Sequence, residues 1–273
     1  MKPFKRAATI PALALVSSLA LSLGATTAMA SPMDLSTWTV EGGAGNWNLG
    51  TGNTSVTQTD NVGPTVFHNN NVNSRGNRFT STIDGGPFDD DYIGFVLGYQ
   101  PGDMTDPDTG TPNTGIDYLV IDWKQNTQTA SGQRTAKEGL ALSRVTGNVF
   151  GEAVNDGNAR DAYDHNTGTV PGVFEELARG TNLGSTGWDD NTPHDFEVLF
   201  GAGGVQVYVD NVLEIDYSGT VSDGAFGFYN FSQPGAVYSL DAVAPIPLPA
   251  AGWLLLSAFG GLGLMARRRR KAA

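Results

Sequence analysis

Polar and apolar positions alternate with a period of two over several short stretches of this chain, as in strands that bury one face. Phe79, Ser81 and Ile83 fall on one face, and Thr80 and Thr82 on the other. Denser apolar runs at Tyr92–Tyr99 and Tyr118–Trp123 suit the interior of a sandwich. Leu140–Val145, Phe196–Phe200, Val205–Val209, Val212–Tyr217 and Phe226–Phe231 continue the series. Asp210-Asn211 separates two alternating runs and predicts a tight hairpin. Only Phe174–Ala178, after Pro171-Gly172, reads as a helical turn. Thirty-six glycines spread along the chain fit frequent turns. The predicted fold is all-β, an antiparallel jelly-roll sandwich.

The two ends break this pattern. Lys2, Lys5 and Arg6 precede an apolar stretch that closes on Ala28-Met29-Ala30. A charged segment, an apolar segment and an A-x-A ending suit a secretory signal cut by signal peptidase after Ala30. At the other end, Pro245-Ile246-Pro247-Leu248-Pro249 is a stiff extended spacer. Ala250–Ala266 follow without a charge, then Arg267, Arg268, Arg269, Arg270 and Lys271. An apolar helix of that length spans ~25 Å, the lower limit for a bilayer crossing. The chain therefore divides into a signal peptide at 1–30, a sandwich at 31–244 and a second address at 245–273.

This division changes the charge. Removing three basic residues at the front and five in the tail leaves 8 basic residues against 28 acidic ones, a formal charge of −20 on the middle segment. Such a surface repels phosphate backbones and excludes a nucleic-acid partner, while it suits dissolved cations. The absence of cysteine removes disulfides, thiolate metal sites and cysteine nucleophiles.

In order and spacing, Pro247-Leu248-Pro249-Ala250, the Trp253–Ser257 run, the Gly260–Leu264 stretch and the terminal arginines resemble the VPLPA variant of PEP-CTERM sorting signals. Ile246 stands where that family usually has valine. The resemblance implies an exosortase-type membrane transpeptidase as partner, in a Gram-negative bacterium that makes exopolysaccharide. It also implies removal of the apolar helix near Pro249, so that membrane contact is transient. The middle carries a second resemblance, through Asp89–Gln100 (DDDYIGFVLGYQ), Tyr118–Gln125 (YLVIDWKQ), Gly187–Asp190 (GWDD) and Gly224–Gln233 (GAFGFYNFSQ). These segments resemble the C-terminal domain of thrombospondins, an L-type-lectin-like (concanavalin-like) jelly roll, from about Trp38 to Val243. Pro101–Gly115 departs from that pattern as an acidic insertion, and the family's type-3 calcium repeats are missing. Receptor binding is therefore not implied.

Asp89, Asp90 and Asp91 form a carboxylate triplet at a strand entrance. From the residues alone it is equally a solvated acidic turn or a set of calcium ligands; the resemblance favours calcium, which takes six to eight oxygens. Alternation along an extended chain would aim two of the three at a metal and one at water. Asp103, Asp106 and Asp108 form a second acidic loop that fails the EF-hand pattern, with no glycine or glutamate where one is required. Asp189 and Asp190 are further candidates, or turn residues before the strand at Phe196.

Catalytic readings are weaker. His68, His165 and His194 have no metal-ligand spacing and read as polar surface residues. Glu214 and Asp216 read as the outer face of a hairpin strand rather than as a glycosidase pair. Trp38, Trp47, Trp123 and Trp188 are stacking platforms or core, with Trp123 placed in the core, and Asn69–Asn71 to Asn77 is a polar loop within reach of sugar hydroxyls. The expectation is an exported, calcium-binding, non-catalytic protein of the cell surface or exopolysaccharide matrix, acting in adhesion or matrix structure. The alternatives are a carbohydrate-binding lectin and, further off, a glycoside hydrolase.

Overall fold

Two antiparallel sheets form the framework of the protein in the computed structural model, which describes residues 32–246 except 44, 106–109, 131–133, 150–168 and 171–172. Strands are numbered in chain order. One sheet has eight strands. Its first half runs β1 (Thr39–Gly42), β4 (Thr65–His68), β16 (Ala225–Phe231), β6 (Tyr92–Tyr99). Its second half runs β7 (Tyr118–Lys124), β10 (Gly139–Val145), β12 (Phe174–Arg179), β11 (Thr169–Val170). The other sheet has seven. It begins β15 (Val212–Ser218), β14 (Gly204–Val209), β13 (Pro193–Gly201), β5 (Asn77–Asp84). It ends β17 (Val237–Pro245), β3 (Ser55–Gln58), β2 (Trp47–Leu49). A small hairpin, β8 (Gln128–Ala130) with β9 (Arg134–Ala136), stands apart. No helix among the described residues is long and apolar enough to cross a membrane.

The main core lies between the sheets. Phe79 and Ile83 of β5 and Phe196, Val198 and Phe200 of β13 face Phe95, Ile121, Phe226 and Phe228 of the larger sheet. In β5, β13 and β14 buried residues alternate with half-exposed ones, as their sequences predict. The central strands β6, β7 and β16 are buried on every residue. A second cluster covers their outer face, built from Tyr92, Val96, Tyr99, Tyr118, Val120 and Tyr229 under Met104, Ile116 and Val149. Burial on both faces removes the alternation, which is why these strands read as dense apolar runs.

Two local expectations fail. Phe174–Ala178 is not a helical turn but lies in β12, paired with β10. Its Glu-Glu-Leu-Ala sequence favours helix only weakly, by fractions of a kcal/mol per residue, so pairing with a sheet edge and burial of Phe174 override it. The second concerns β15. Opposite Val207 and Tyr208 its register shifts, so Tyr208 pairs with Leu213 and Val207 with Ile215. Glu214 is the extra residue of this bulge and turns inward, 3 % exposed, while Asp216 stays outside. The two carboxylates do not share the outer face.

The predicted hairpin forms between β14 and β15. Asp210 (φ 49°) and Asn211 (φ 66°) both lie in the left-handed region, as a two-residue turn of the primed type requires. Replacing Asn211 by valine forces a β-branched residue into that region, at an expected cost of about 1–2 kcal/mol. The melting temperature should fall by several degrees, and Asn211→Gly should lose nothing. Equal melting points for the valine and glycine variants would show that the turn does not carry this strain.

Candidate functional site

Strand register determines which loops meet. Asp84 ends β5 and pairs with Pro193 at the start of β13 and Val237 at the start of β17. Tyr92 starts β6 and pairs with Lys124 at the end of β7 and Phe231 at the end of β16. The loops at 85–91, 125–127, 180–192 and 232–236 therefore open at one end of the sandwich, as does the Asp210-Asn211 turn. Asp89–Asp91 and Asp189–Asp190 share that end. Asp103 follows the far end of β6 and belongs to the opposite one.

The carboxylates of Asp89, Asp90 and Asp91 each place an oxygen within 4.8 Å of the others. The expected arrangement, two carboxylates on a metal and one in water, is not what the loop shows: one carboxylate faces the interior and two face outward. Asp91 is 7 % exposed, and the Lys124 ammonium, fully buried, donates to its Oδ1 at 2.9 Å. Lys124 also donates to the Asp90 carbonyl (2.9 Å) and to Gln128 Oε1 (2.8 Å), and it lies 5.1 Å from the centre of the Tyr92 ring. Three acceptors and an aromatic face replace the water that the ammonium gives up. Burial pushes the Asp91 carboxyl above the usual aspartate range, against the opposing pull of Lys124. The main chain of Asp91 is tied as well: its N–H donates to Gln233 Oε1, and its carbonyl accepts from Trp188 Nε1 and the Gln125 N–H.

Asp89 and Asp90 remain half-exposed. Asp89 accepts from Asn61 Nδ2 (2.6 Å) and from the Asp90 N–H, and Asp90 Oδ1 accepts from the Gln128 amide. A carboxylate offers about four lone-pair positions, so both keep capacity for a hard cation. These two residues fit calcium. Asp91 does not, since its charge is already matched by Lys124.

Asp190 reaches this cluster indirectly, accepting from Gln125 Nε2 at 2.6 Å. The contact needs a close passage of two loops, and a Cβ at Gly187 would overlap the Gln125 carbonyl oxygen. Asp189 and Asp190 do stand at the turn before β13, as the sequence suggests.

Several candidates prove structural. Asp103 is 2 % exposed and braces its own loop, accepting from the Gln100 N–H and Asn113 Nδ2. Trp47, Trp123 and Trp188 are core residues and not open platforms. Asn69 and Asn71 accept from the N–H groups of Asn71 and Asn73, closing their own loop. His68 is fully buried rather than on the surface, with Nε2 3.5 Å from Glu41 Oε1 and its ring 5.0 Å from that of Tyr99. Its place in an all-buried strand, Thr65–His68, is the signal that sequence reading passed over. Asp106, Asp108, His165, the Ala28 and Ala30 cleavage motif, Pro247–Pro249 and Arg267–Arg270 lie outside the described residues.

No protein-family model matches the chain. A 160-residue stretch is 29% identical to thrombospondin-2 of Gallus gallus, covering 55% of this chain and 12% of that protein. The chain thus spans a small part of that relative. Among solved structures, the exoplasmic/lumenal domain of VIP36 in its Ca2+/Man3GlcNAc-bound form superposes with a TM-score of 0.51 at 13% identity, covering 81% of this chain and 90% of that one. The carbohydrate-binding module CBM66 from Bacillus subtilis gives 0.45 at 12% identity, over 76% and 93%. At these identities the likeness to VIP36 is one of fold alone, a two-sheet antiparallel sandwich.

Replacing Lys124 by methionine keeps much of its volume and strands the buried Asp91 carboxylate. Loss of one partner from a buried pair costs about 3–5 kcal/mol, a fall on the order of 10 °C in melting temperature for a domain of this size. Adding Asp91→Asn to Lys124→Met should recover part of it. A single variant that melts with the unaltered protein would show that the pair does not support the fold.

Proposed function

We propose that the chain is an exported, non-catalytic carbohydrate-binding module whose binding face is the loop end that holds Asp89, Asp90 and Asp190. The observation that carries this reading is the convergence there of Asp89, Asp90, Gln125, Asn126 and Asp190. These polar planar groups stand half-exposed or exposed on a rigid two-sheet support, the kind of surface that orients sugar hydroxyls. The VIP36 domain with the same fold was solved with calcium and an oligosaccharide bound, which makes this ligand class the first to test. Calcium would be held by Asp89 and Asp90 and would neutralise part of the −20 charge of the middle segment.

A structural role in adhesion or a polysaccharide matrix is the second reading, favoured by the match to thrombospondin-2. The displacement of Glu214 supports a non-catalytic role, since it leaves the Glu214 and Asp216 carboxylates on different sides of their strand. The two sequence addresses support export by signal peptidase, followed by sorting through an exosortase-type enzyme.

An array of surface and exopolysaccharide-derived glycans, read with calcium and then with chelator, tests the main reading. Binding is expected with calcium and should weaken on chelation. Binding to no glycan, with normal folding, would leave the matrix role.

Calcium should also raise the melting temperature at fixed ionic strength. A ligand at a hundredfold excess over its Kd contributes about 2.7 kcal/mol when it binds only the folded form. Asp89→Asn/Asp90→Asn, which leaves the Lys124–Asp91 pair intact, should abolish the rise. If sodium chloride at equal ionic strength reproduces the whole shift, the carboxylates form only a screened acidic surface.

In a host with an active exosortase, the intact mass of the exported protein should lack Arg267–Lys271. Recovery of the full C-terminus would mark a simple anchor.

A further inference from the structure

A second feature occupies the same end of the sandwich. Between the end of β7, the crossover at 180–190 and the β14–β15 hairpin lies a cavity of about 330 Å3. Trp123, Leu183 and Val212 give it apolar walls, and Asp189, His194 and Glu214 supply polar groups. No lysine or arginine lines it. Small-ligand pockets run from roughly 300 to 1,000 Å3, so this one has room for a mono- or disaccharide. We infer that this cavity is the saccharide subsite and that it takes a neutral sugar residue in preference to a uronic acid. The inference rests on the carbohydrate-binding reading and adds the place and the charge class of the ligand.

Two groups carry it. His194 Nδ1 lies 2.8 Å from Asp210 Oδ2. An ionised carboxylate only accepts, so Nδ1 bears a proton and directs it at Asp210. That Nε2 is buried and has no hydrogen-bond partner. The ring is held against Trp123, with centroids 4.8 Å apart. A buried polar atom left without a partner is costly, and a ligand hydroxyl, which both donates and accepts, would satisfy it.

Glu214 is the second group, and the bulge in β15 is what turns it inward. Its Oε2 accepts from the Asn182 and Leu183 N–H groups at 2.8 and 3.0 Å, and its Oε1 accepts from Asn182 Nδ2 at 3.1 Å. These bonds fix the carboxylate rigidly and leave Oε1 one lone pair for a second donor. Turn bracing thus accounts for most of Glu214's hydrogen bonds, but it does not employ His194 Nε2 at all.

A lining of carboxylates without lysine or arginine selects ligands that bring O–H donors and no negative charge. Neutral hexoses meet that demand. Uronates bring a carboxylate beside Asp189, Asp210 and Glu214, with no lysine or arginine to pair it. The outer face of the eight-stranded sheet over β6 and β7 is covered by the second hydrophobic cluster.

The test uses the full-length exported protein and an array of manno-, gluco- and galacto-oligosaccharides beside polyuronate fragments, followed by calorimetry with the best neutral binder. His194→Phe keeps the aromatic packing and removes Nε2. Val212→Trp fills the cavity mouth from a side chain that is 48% exposed, so it tests the site even if His194→Phe fails to fold. Each should weaken neutral-sugar binding at least tenfold with the calcium-induced rise in melting temperature unchanged. Asp189→Lys should raise uronate binding several-fold relative to neutral sugar, a shift that a purely structural role would not produce.

If both cavity variants bind like the unaltered protein while Asp89→Asn/Asp90→Asn abolishes binding, the sugar sits at the aspartate loop and the cavity assignment fails alone. Preference of the unaltered protein for uronates overturns the charge class. Binding to no sugar at all overturns both this site and the reading it rests on.

Discussion

The buried ammonium of Lys124 holds this end of the molecule together. A charge cannot leave water unless neighbouring groups replace its solvation, and here four groups from three places in the chain replace it. Asp91 and the Asp90 carbonyl come from the loop before β6, Gln128 from β8, and the ring beneath from Tyr92. Asp91 in turn engages Gln233 after β16, Trp188 before β13 and Gln125 after β7. One buried pair therefore sets the relative positions of the loops that the two sheets send to this end.

This arrangement assigns different tasks to three neighbouring aspartates. Asp91 is spent inside on an organic cation, so Asp89 and Asp90 carry the acidity that faces solvent. An ion added beside them would stand near the positive charge of Lys124, which lies 4.0 Å from Asp90 Oδ1. The loop is thus rigid from below and has only part of its charge available from above. A carboxylate triplet in sequence need not be a tridentate site in space.

Much of the sandwich was legible because half-buried strands leave a period of two. β5, β13 and β14 show it, and Asp210-Asn211 announced its turn through residue types that tolerate positive φ. Other features lay beyond any single segment. β12 consists of helix-tolerant residues that are strands only because β10 offers an edge. The bulge at Glu214 is a mismatch between two strands, and neither strand alone encodes it. The site was legible in part. Asp89–Asp91 stood out by charge, whereas the role of Lys124 needed the observation that a lone lysine two residues beyond Asp122 continues the outward face of a strand buried on both sides. His68 and His194 carried no spacing signal, since their partners Glu41 and Asp210 are set by register and turn geometry.

The position of β17 bears on how such a chain can be made. It is the last strand among the described residues, yet it lies between β5 and β3, pairing Val243 with Phe79 and Tyr238 with Val56. Until it arrives, the seven-stranded sheet is two separate pieces, with the β5 edge and the β3 edge facing a gap. The contacts that close it span most of the described sequence, so a nascent chain emerging from its N-terminus holds unsatisfied strand edges until Val237–Pro245 has been released. A chain truncated before Val237 would therefore present two open edges to its neighbours in place of a finished sandwich.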